Sequence, residues 1–389
     1  MVKENIVSDA RDCSAALQGL CNNPSSPRYP DYSDLCSGSF HDALASTSRA
    51  KARYTPDSLY PRGSQLLATS YTLGVTSMRA FVELDHVMRT LPLTTAIRLK
   101  TDFAHLLELQ ICAFAQDPIY STTHGNENRA IIEHALAQFA GSIGALGTTP
   151  YVETSRPASL SNIEWAITRA LKHRLHLDFH LDYTLESPSS LPSQKTTQMG
   201  AGCQLQDDRA RAFTGQRYHH QQASYSLHRL ANEDIFMMGR PTYDSKSSHN
   251  RPRGTIHVPS MITEFGLSAC LGVNNVGNAF TPYGTGDPLQ LASWAVGIYQ
   301  VGTAKEAELL YECVSNGARQ AIGLDGGALC GSIHAGDRLS GMLLLKSQQA
   351  MELPGALGQS SMVVAPRRRL SLQDVVWDPP ENKLRFIVR

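Results

Sequence analysis

The stretch RLHLDFHLDY, residues 174–183, alternates polar and apolar residues without a break. A β-strand sends successive side chains to opposite faces, so His176, Asp178, His180 and Asp182 share one face while Leu175, Leu177, Phe179 and Leu181 share the other. Imidazoles and carboxylates in one row can bind a divalent metal or pass a proton. The same residues, hydrogen-bonded to neighbouring strands, also make a buried polar layer, and the row alone does not separate the two. Elsewhere, Arg240 directly follows the apolar run DIFMMG, where a guanidinium can hold a carboxylate or a carbonyl oxygen. The segment NNVGNAFTPYGTGDP offers Asn274, Asn275 and Asn278 to a ligand, with Asp287 as a helix cap and Pro288 in the first turn. An ordered connector accounts for its glycines equally well. His124 reads as a loop histidine or a ligand, and the adjacent pair His219–His220 is badly spaced for chelation.

Positioning such residues requires a scaffold, and the pattern supplies one. Apolar runs at 75–84, 109–117, 141–149 and 174–183 alternate with helical periodicity at 91–106, 127–140 and 161–173. The cadence resumes with strands at 234–239 and 267–273 and helices at 258–265, 288–301 and 304–320. Repeated β-then-α units predict a parallel sheet covered by helices, and eight of them close a (β/α)₈ barrel. Residues 1–39 and 185–230 are polar and lack periodicity, so they read as an irregular N-terminal segment and an irregular insert. The predicted organisation is a barrel over 40–355, incomplete at its first strand, and a small C-terminal β-module at 356–389 with strands near 360–366 and 382–388.

Composition narrows the function classes. The chain has 389 residues, 42% of them hydrophobic, with 35 basic and 35 acidic side chains and a formal net charge of +0. No basic stretch interleaved with aromatics marks a nucleic-acid groove. No apolar run approaches the roughly 20 residues of a membrane span, and the N-terminus has no signal-peptide core. The 8 cysteines are scattered without a CxxC, which fits reduced, buried thiols and a cytoplasmic protein.

LQICAFAQDPI, HLDFHLDY, DIFMMGRP and GLSACLGVNNVGNAFTPYGTGDPLQLASWAVGIYQVGT, followed by VSNGARQAIGL, resemble the cytosine-deaminase-like branch of the amidohydrolase superfamily over about residues 45–355. The motifs are most like fungal-type members, which implies a setting in specialised metabolism. The resemblance implies a TIM barrel whose strand C-termini carry a divalent ion, Zn or Fe, that activates water against a ring amide or amidine carbon. His180 matches the family's metal-ligating or metal-proximal histidine, and Gln116 matches a glutamine that hydrogen-bonds the pyrimidine edge.

Four positions depart from the pattern. No HxH pair occurs anywhere in the chain; Tyr183 stands three residues after His180 where the family has a glutamate; 190–230 holds only His219, His220 and His228; and Asn274 replaces the aspartate of the eighth strand. A neutral amide is a far poorer ligand for Zn or Fe than a carboxylate, and neither Asn274 nor Tyr183 can take a proton from water near neutral pH as a carboxylate does.

Together these features lead to the expectation of a cytosine-deaminase-like protein hydrolysing a C–N bond in a small cyclic amide or amidine. Its site would comprise His180 and Asp182 as catalytic groups, Gln116, Arg240 and Asn274 on the substrate, and a metal on His180 if the family site persists. The alternatives are an inactive barrel that binds a small molecule or a partner enzyme, and a metal-independent isomerase or lyase using Asp182 and His180. An incomplete barrel leaves strand edges open, which predicts homo-oligomers.

Overall fold

The computed structural model describes residues 39–180, 227–229, 235, 255–281, 283–324, 342–356 and 360–388. Two helices come first, α1 (Phe40–Lys51) and α2 (Pro56–Thr72), and then β/α units: β1 (Ser77–Glu83), α3 (Leu91–Asp102), β2 (Glu108–Ala115), α4 (Gly125–Gln138), β3 (Ile143–Thr148), α5 (Arg156–His173) and β4 (His176–Phe179). The four strands form one parallel sheet in the order β1-β2-β3-β4.

Local chemistry sets the helix ends. Ser155 caps α5 by accepting from the Ala158 N–H, and Arg174 closes it in the left-handed region at φ 54° before the chain turns into β4. Thr55 and Ser58 form a reciprocal capping box at the start of α2.

Strand alternation divides the sheet into two faces. Val82 and Leu84, Ile111, Ala113 and Ala115, and Leu146 pack against Leu93 and Ala96 of α3, Ile131, Ile132, Ala135 and Leu136 of α4, and Trp165, Ala166 and Ala170 of α5. Leu175, Leu177 and Phe179 join this core from β4, as their parity predicts. Each fully buried side chain such as Ile111 or Leu146 contributes about 1.5–3 kcal/mol.

The opposite face carries Arg79, Gln110, His176 and Asp178. Arg79 donates from Nη1 to Asp178 Oδ2 at 2.6 Å, from Nε to Gln110 Oε1 at 2.7 Å, and from Nη2 to the Ile322 carbonyl at 2.6 Å. His176 Nδ1 lies 2.9 Å from the same Nη2, and because a guanidinium only donates, that nitrogen is positioned to accept. Two glycines make room. A Cβ at Gly323, where φ is +67°, would stand 2.5 Å from the His176 ring, and one at Gly147 would stand 2.7 Å from the Phe114 ring. The lower part of the 176–182 row is thus a hydrogen-bonded polar layer.

The second half is built from β5 (Leu227–Arg229), α6 (Val258–Thr263), β6 (Ala269–Leu271), α7 (Pro288–Tyr299), α8 (Ala304–Glu312) and α9 (Asn316–Ala321). β5 pairs with β6 in parallel, so the segment 185–230 expected to be irregular contributes a strand. The expected strand at 234–239 lies outside the described residues apart from Ile235, which packs on the second core of Val258, Leu271, Leu291, Ala295 and Leu310. The single helix predicted at 304–320 is two, because Cys313 caps α8 and the chain turns at Ser315 before α9.

At the C-terminus β7 (Met342–Leu345), β8 (Met351–Leu353), β9 (Met362–Val364), α10 (Leu372–Trp377) and β10 (Arg385–Val388) follow. β10 pairs antiparallel with β7, and β8 with β9, so these strand pairs reach back across residue 356. Cys112, Cys270 and Cys313 are free and buried; burial pushes the Cys313 thiol up to about 12. No described helix is long and apolar enough to cross a membrane.

Two buried arginines yield predictions. Arg385 makes two 2.7 Å bonds to the Asp287 carboxylate and donates to the Leu73 and Pro380 carbonyls, so it ties β10 to the end of α2 and the start of α7. Arg385→Ala should cost about 3–5 kcal/mol in urea unfolding, since it strands a buried carboxylate, and Arg385→Lys should recover only part of it. Asp178→Ala should cost a similar amount by stranding Arg79, whereas His180→Ala, which removes no buried ion-pair partner of that guanidinium, should cost less than half as much.

Candidate functional site

His180 follows β4, and its N–H donates to the Thr148 carbonyl at 2.9 Å, which carries the strand's pairing one step past the sheet. Its parity puts the imidazole on the same face as Asp178, one layer further toward the C-terminal end. There the ring meets Phe81 at 5.0 Å and Phe114 at 4.6 Å between centroids. Nε2 lies 3.9 Å from Asp178 Oδ1, and the His180 side chain is 15% exposed. His180 therefore sits at the C-terminal end of the inner face, the face that carries Arg79 and Asp178, above the polar layer and against two aromatic rings.

Gln116 follows directly on β2 at the same end of the sheet and is half-buried. The Thr149 hydroxyl, wholly buried, donates to the Gln116 carbonyl at 2.9 Å and fixes the chain there. Register puts the two positions at one level with β3 between them: Phe114 pairs with Gly147 and Gly147 with Asp178, so Gln116 and His180 each lie two residues beyond one transverse row of the sheet. Asn274 follows β6 by three residues in the left-handed region at φ 52°, which asparagine tolerates. The connector after it is self-bonded, for Asn278 Oδ1 accepts from the Phe280 and Thr281 N–H groups, and Asp287 caps α7 as its type predicts. Asp182 and Arg240 lie outside the described residues, as do Tyr183, His219 and His220.

Around the ends of β1 and β2 stands a charged group that the sequence reading did not pick out. Lys51 Nζ lies 2.5 Å from Glu83 Oε2, 3.0 Å from Asp85 Oδ2 and 3.6 Å from Asp117 Oδ1. Glu83 ends β1 on the parity of Arg79 and Phe81, and its register partner is Phe114, the ring that touches His180. Burial alone would raise the Asp85 carboxyl, but the Lys51 charge and the Met88 and Val87 N–H groups outweigh it and hold it below the carboxylate range. A signal for Glu83 existed, a charged residue at the C-terminal end of a strand; none existed for Lys51, whose partners are more than thirty positions away in sequence.

Glu153 is a second missed carboxylate, and it shapes the loop after β2. Its oxygens accept from the Ile119, Tyr120 and Ser121 N–H groups, the Ser121 hydroxyl and the Asn162 amide. Burial works to raise this carboxyl; the Ser121 and Asn162 bonds and the backbone N–H groups more than offset that and lower it. His124 starts α4 and stacks face to face on His86, centroids 3.7 Å apart. Ring-plane lone pairs in parallel stacked imidazoles cannot converge on one ion, so this pair is not a chelate as it stands. A shallow groove of about 250 Å³ by Tyr120, Trp165 and Arg169 lies on the helix side and holds none of these groups.

The family resemblance in the sequence implies a divalent ion, and the described donors do not fit one. A catalytic Zn or Fe site asks for about three His or carboxylate ligands. Here Asp178 Oδ2 is bonded to Arg79, the carboxylates of Glu83, Asp85 and Asp117 surround an ammonium, and Asn274 is a neutral amide. Among the described residues no group of three His, Cys, Asp or Glu side chains is placed to hold a metal.

No family model matches the sequence, and no curated protein matches it. Solved structures do match. 5-Methylcytosine deaminase from Klebsiella pneumoniae liganded with 5-fluorocytosine superposes with a TM-score of 0.61 at 19% identity, covering 75% of this chain and 70% of that one. The same enzyme liganded with phosphonocytosine gives 0.61 at 18% identity over the same shares. N-isopropylammelide isopropylaminohydrolase from Burkholderia multivorans ATCC 17616 gives 0.52 at 19% identity over 81% and 70%. At these identities the likeness is one of architecture: the chain has an α/β fold with a parallel sheet, and that fold is the one seen in these amidohydrolase barrel structures.

Proposed function

We propose that the protein binds a small, planar cyclic amide or amidine at the C-terminal end of the inner face, and that hydrolysis of a C–N bond in that ring is its chemistry. The observation that carries this reading is the placement of Gln116 and His180 at one end of one sheet, in the fold of a deaminase whose solved structure holds 5-fluorocytosine. A primary amide offers a donor and an acceptor side by side, the complement of a lactam or amidine edge. The half-buried Phe81 ring beside His180 supplies apolar surface for a ring, and the imidazole supplies a hydrogen bond to its carbonyl or ring nitrogen. Asp182, Arg240 and Asn274 complete the proposed site from the sequence reading. The buried thiols of Cys112, Cys270 and Cys313 support a reducing, cytoplasmic setting.

A second reading, binding without turnover, is favoured by a specific observation: the described donor set does not suit a hydrolytic metal, and the family's glutamate position is Tyr183. Calorimetry with cytosine, 5-fluorocytosine and simple cyclic amides, run beside an ammonia-release assay, separates the two. Saturable binding weakened about tenfold or more by Gln116→Ala and by His180→Ala is expected from the loss of one buried hydrogen bond apiece. Binding accompanied by ammonia establishes hydrolysis, and binding without it leaves the ligand-binding reading. No binding by any of these rings would overturn both.

A further inference from the structure

Lys51 is the last residue of α1, and its side chain is only 7% exposed. It reaches from a helix before the sheet into the turn after β1 and the end of β2, where it meets carboxylates from three positions. Glu83 and Asp117 keep 29% and 37% side-chain exposure, while Asp85 is 2% exposed. Asp85 has a fixed place already, because its Oδ1 accepts from the Val87 and Met88 N–H groups at 2.8 Å.

We propose that Lys51 is the resident cation of this mouth: its ammonium, rather than a divalent ion, orders Glu83, Asp85 and Asp117 around the end of the inner face. Lys51 is a positioning residue, and it touches no ligand. Three carboxylates within 4 Å of one point repel each other strongly unless a cation stands among them, and a divalent ion needs the same lone pairs that the ammonium occupies. Ammonium and divalent ion exclude one another there by like-charge repulsion as well as by space. Burial would drive a lysine toward its neutral form; Glu83, Asp117 and Asp85 more than offset that, so Lys51 is held above its ordinary pKa and stays charged across the neutral range. The inference goes beyond the ligand reading and does not depend on turnover.

The pH dependence separates a charge role from a packing role. Without the ammonium, crowded carboxylates have folded-state pKa values above their unfolded values, and the penalty is relieved as they protonate on acidification. Unfolding midpoints of the wild type, Lys51→Arg, Lys51→Met and the double variant Lys51→Met/Glu83→Gln would be measured between about pH 7 and pH 5, with elemental analysis of each protein. Lys51→Met should lower the midpoint by about 5 °C at neutral pH, with the deficit shrinking toward the acid end. Lys51→Arg should follow the wild type, and the double variant should be more stable than Lys51→Met. A deficit constant with pH overturns the proposal, as does a stoichiometric divalent ion that is lost on Glu83→Gln. Should Lys51→Met not fold, recovery of folded protein in the double variant supports the charge role and failure to recover overturns it.

Discussion

Arg79 is 3% exposed in the first strand of a parallel sheet, and a guanidinium keeps its charge at any pH a protein meets. Burying it demands a full set of acceptors. The sheet supplies them laterally, Gln110 from β2 and His176 and Asp178 from β4, and the second half supplies the Ile322 carbonyl. Because these partners come from strands one and three places away, the network is satisfied only when the inner face curves and the two halves meet. One desolvated charge therefore couples sheet curvature, strand register and the docking of α9. It also consumes Asp178, which leaves His180 as the imidazole above it at the C-terminal end.

Charge is handled differently at that end. In the interior a cation is surrounded by acceptors with one carboxylate among them; at the mouth three carboxylates surround one cation. The two arrangements sit on the same strand four residues apart, Arg79 below and Glu83 above, separated by the Phe81 ring. Alternation on a period of two puts both charges on one face. An aromatic layer between them limits solvent at the lower network while Glu83 stays within reach of water.

Much of this architecture is legible in the sequence because it rests on short-range pattern. The strict alternation of 174–183 predicts which side chains face the core, and Leu175, Leu177 and Phe179 pack where the parity puts them. Asp287 and Pro288 announce the start of α7. What is not legible has a physical reason in each instance. α2 contains Pro61 and weak periodicity, so its 17 residues do not stand out as a helix in the sequence. β5, β7 and β8 are 3 or 4 residues long, too short for a period of two to stand out; β5 and β7 exist through pairing with distant partners, and β8 pairs with the next strand, β9. The break between α8 and α9 falls at Cys313–Ser315, just before Asn316 and Gly317, poor helix formers whose signal is masked by the helical periodicity on either side.

The site follows the same division. Gln116 and His180 sit at strand ends, and both strand identity and residue type are local information. Their relation to Lys51 is not, since a lysine at the end of an amphipathic helix reads as a solvated charge until the chain closes on it. Glu83 is the instructive intermediate: parity and position put a carboxylate at the C-terminal end, but its meaning changes with what neutralises it. Alone it would be a metal ligand or a base; paired with an ammonium at 2.5 Å it belongs to a preformed electrostatic unit. Sequence motifs that define a metal-dependent hydrolase are lists of donor atoms, and they do not register a side chain from outside the motif that occupies those donors. Lys51 comes from α1, which none of the deaminase-like motifs includes, and its ammonium meets carboxylates at the end of the face those motifs describe.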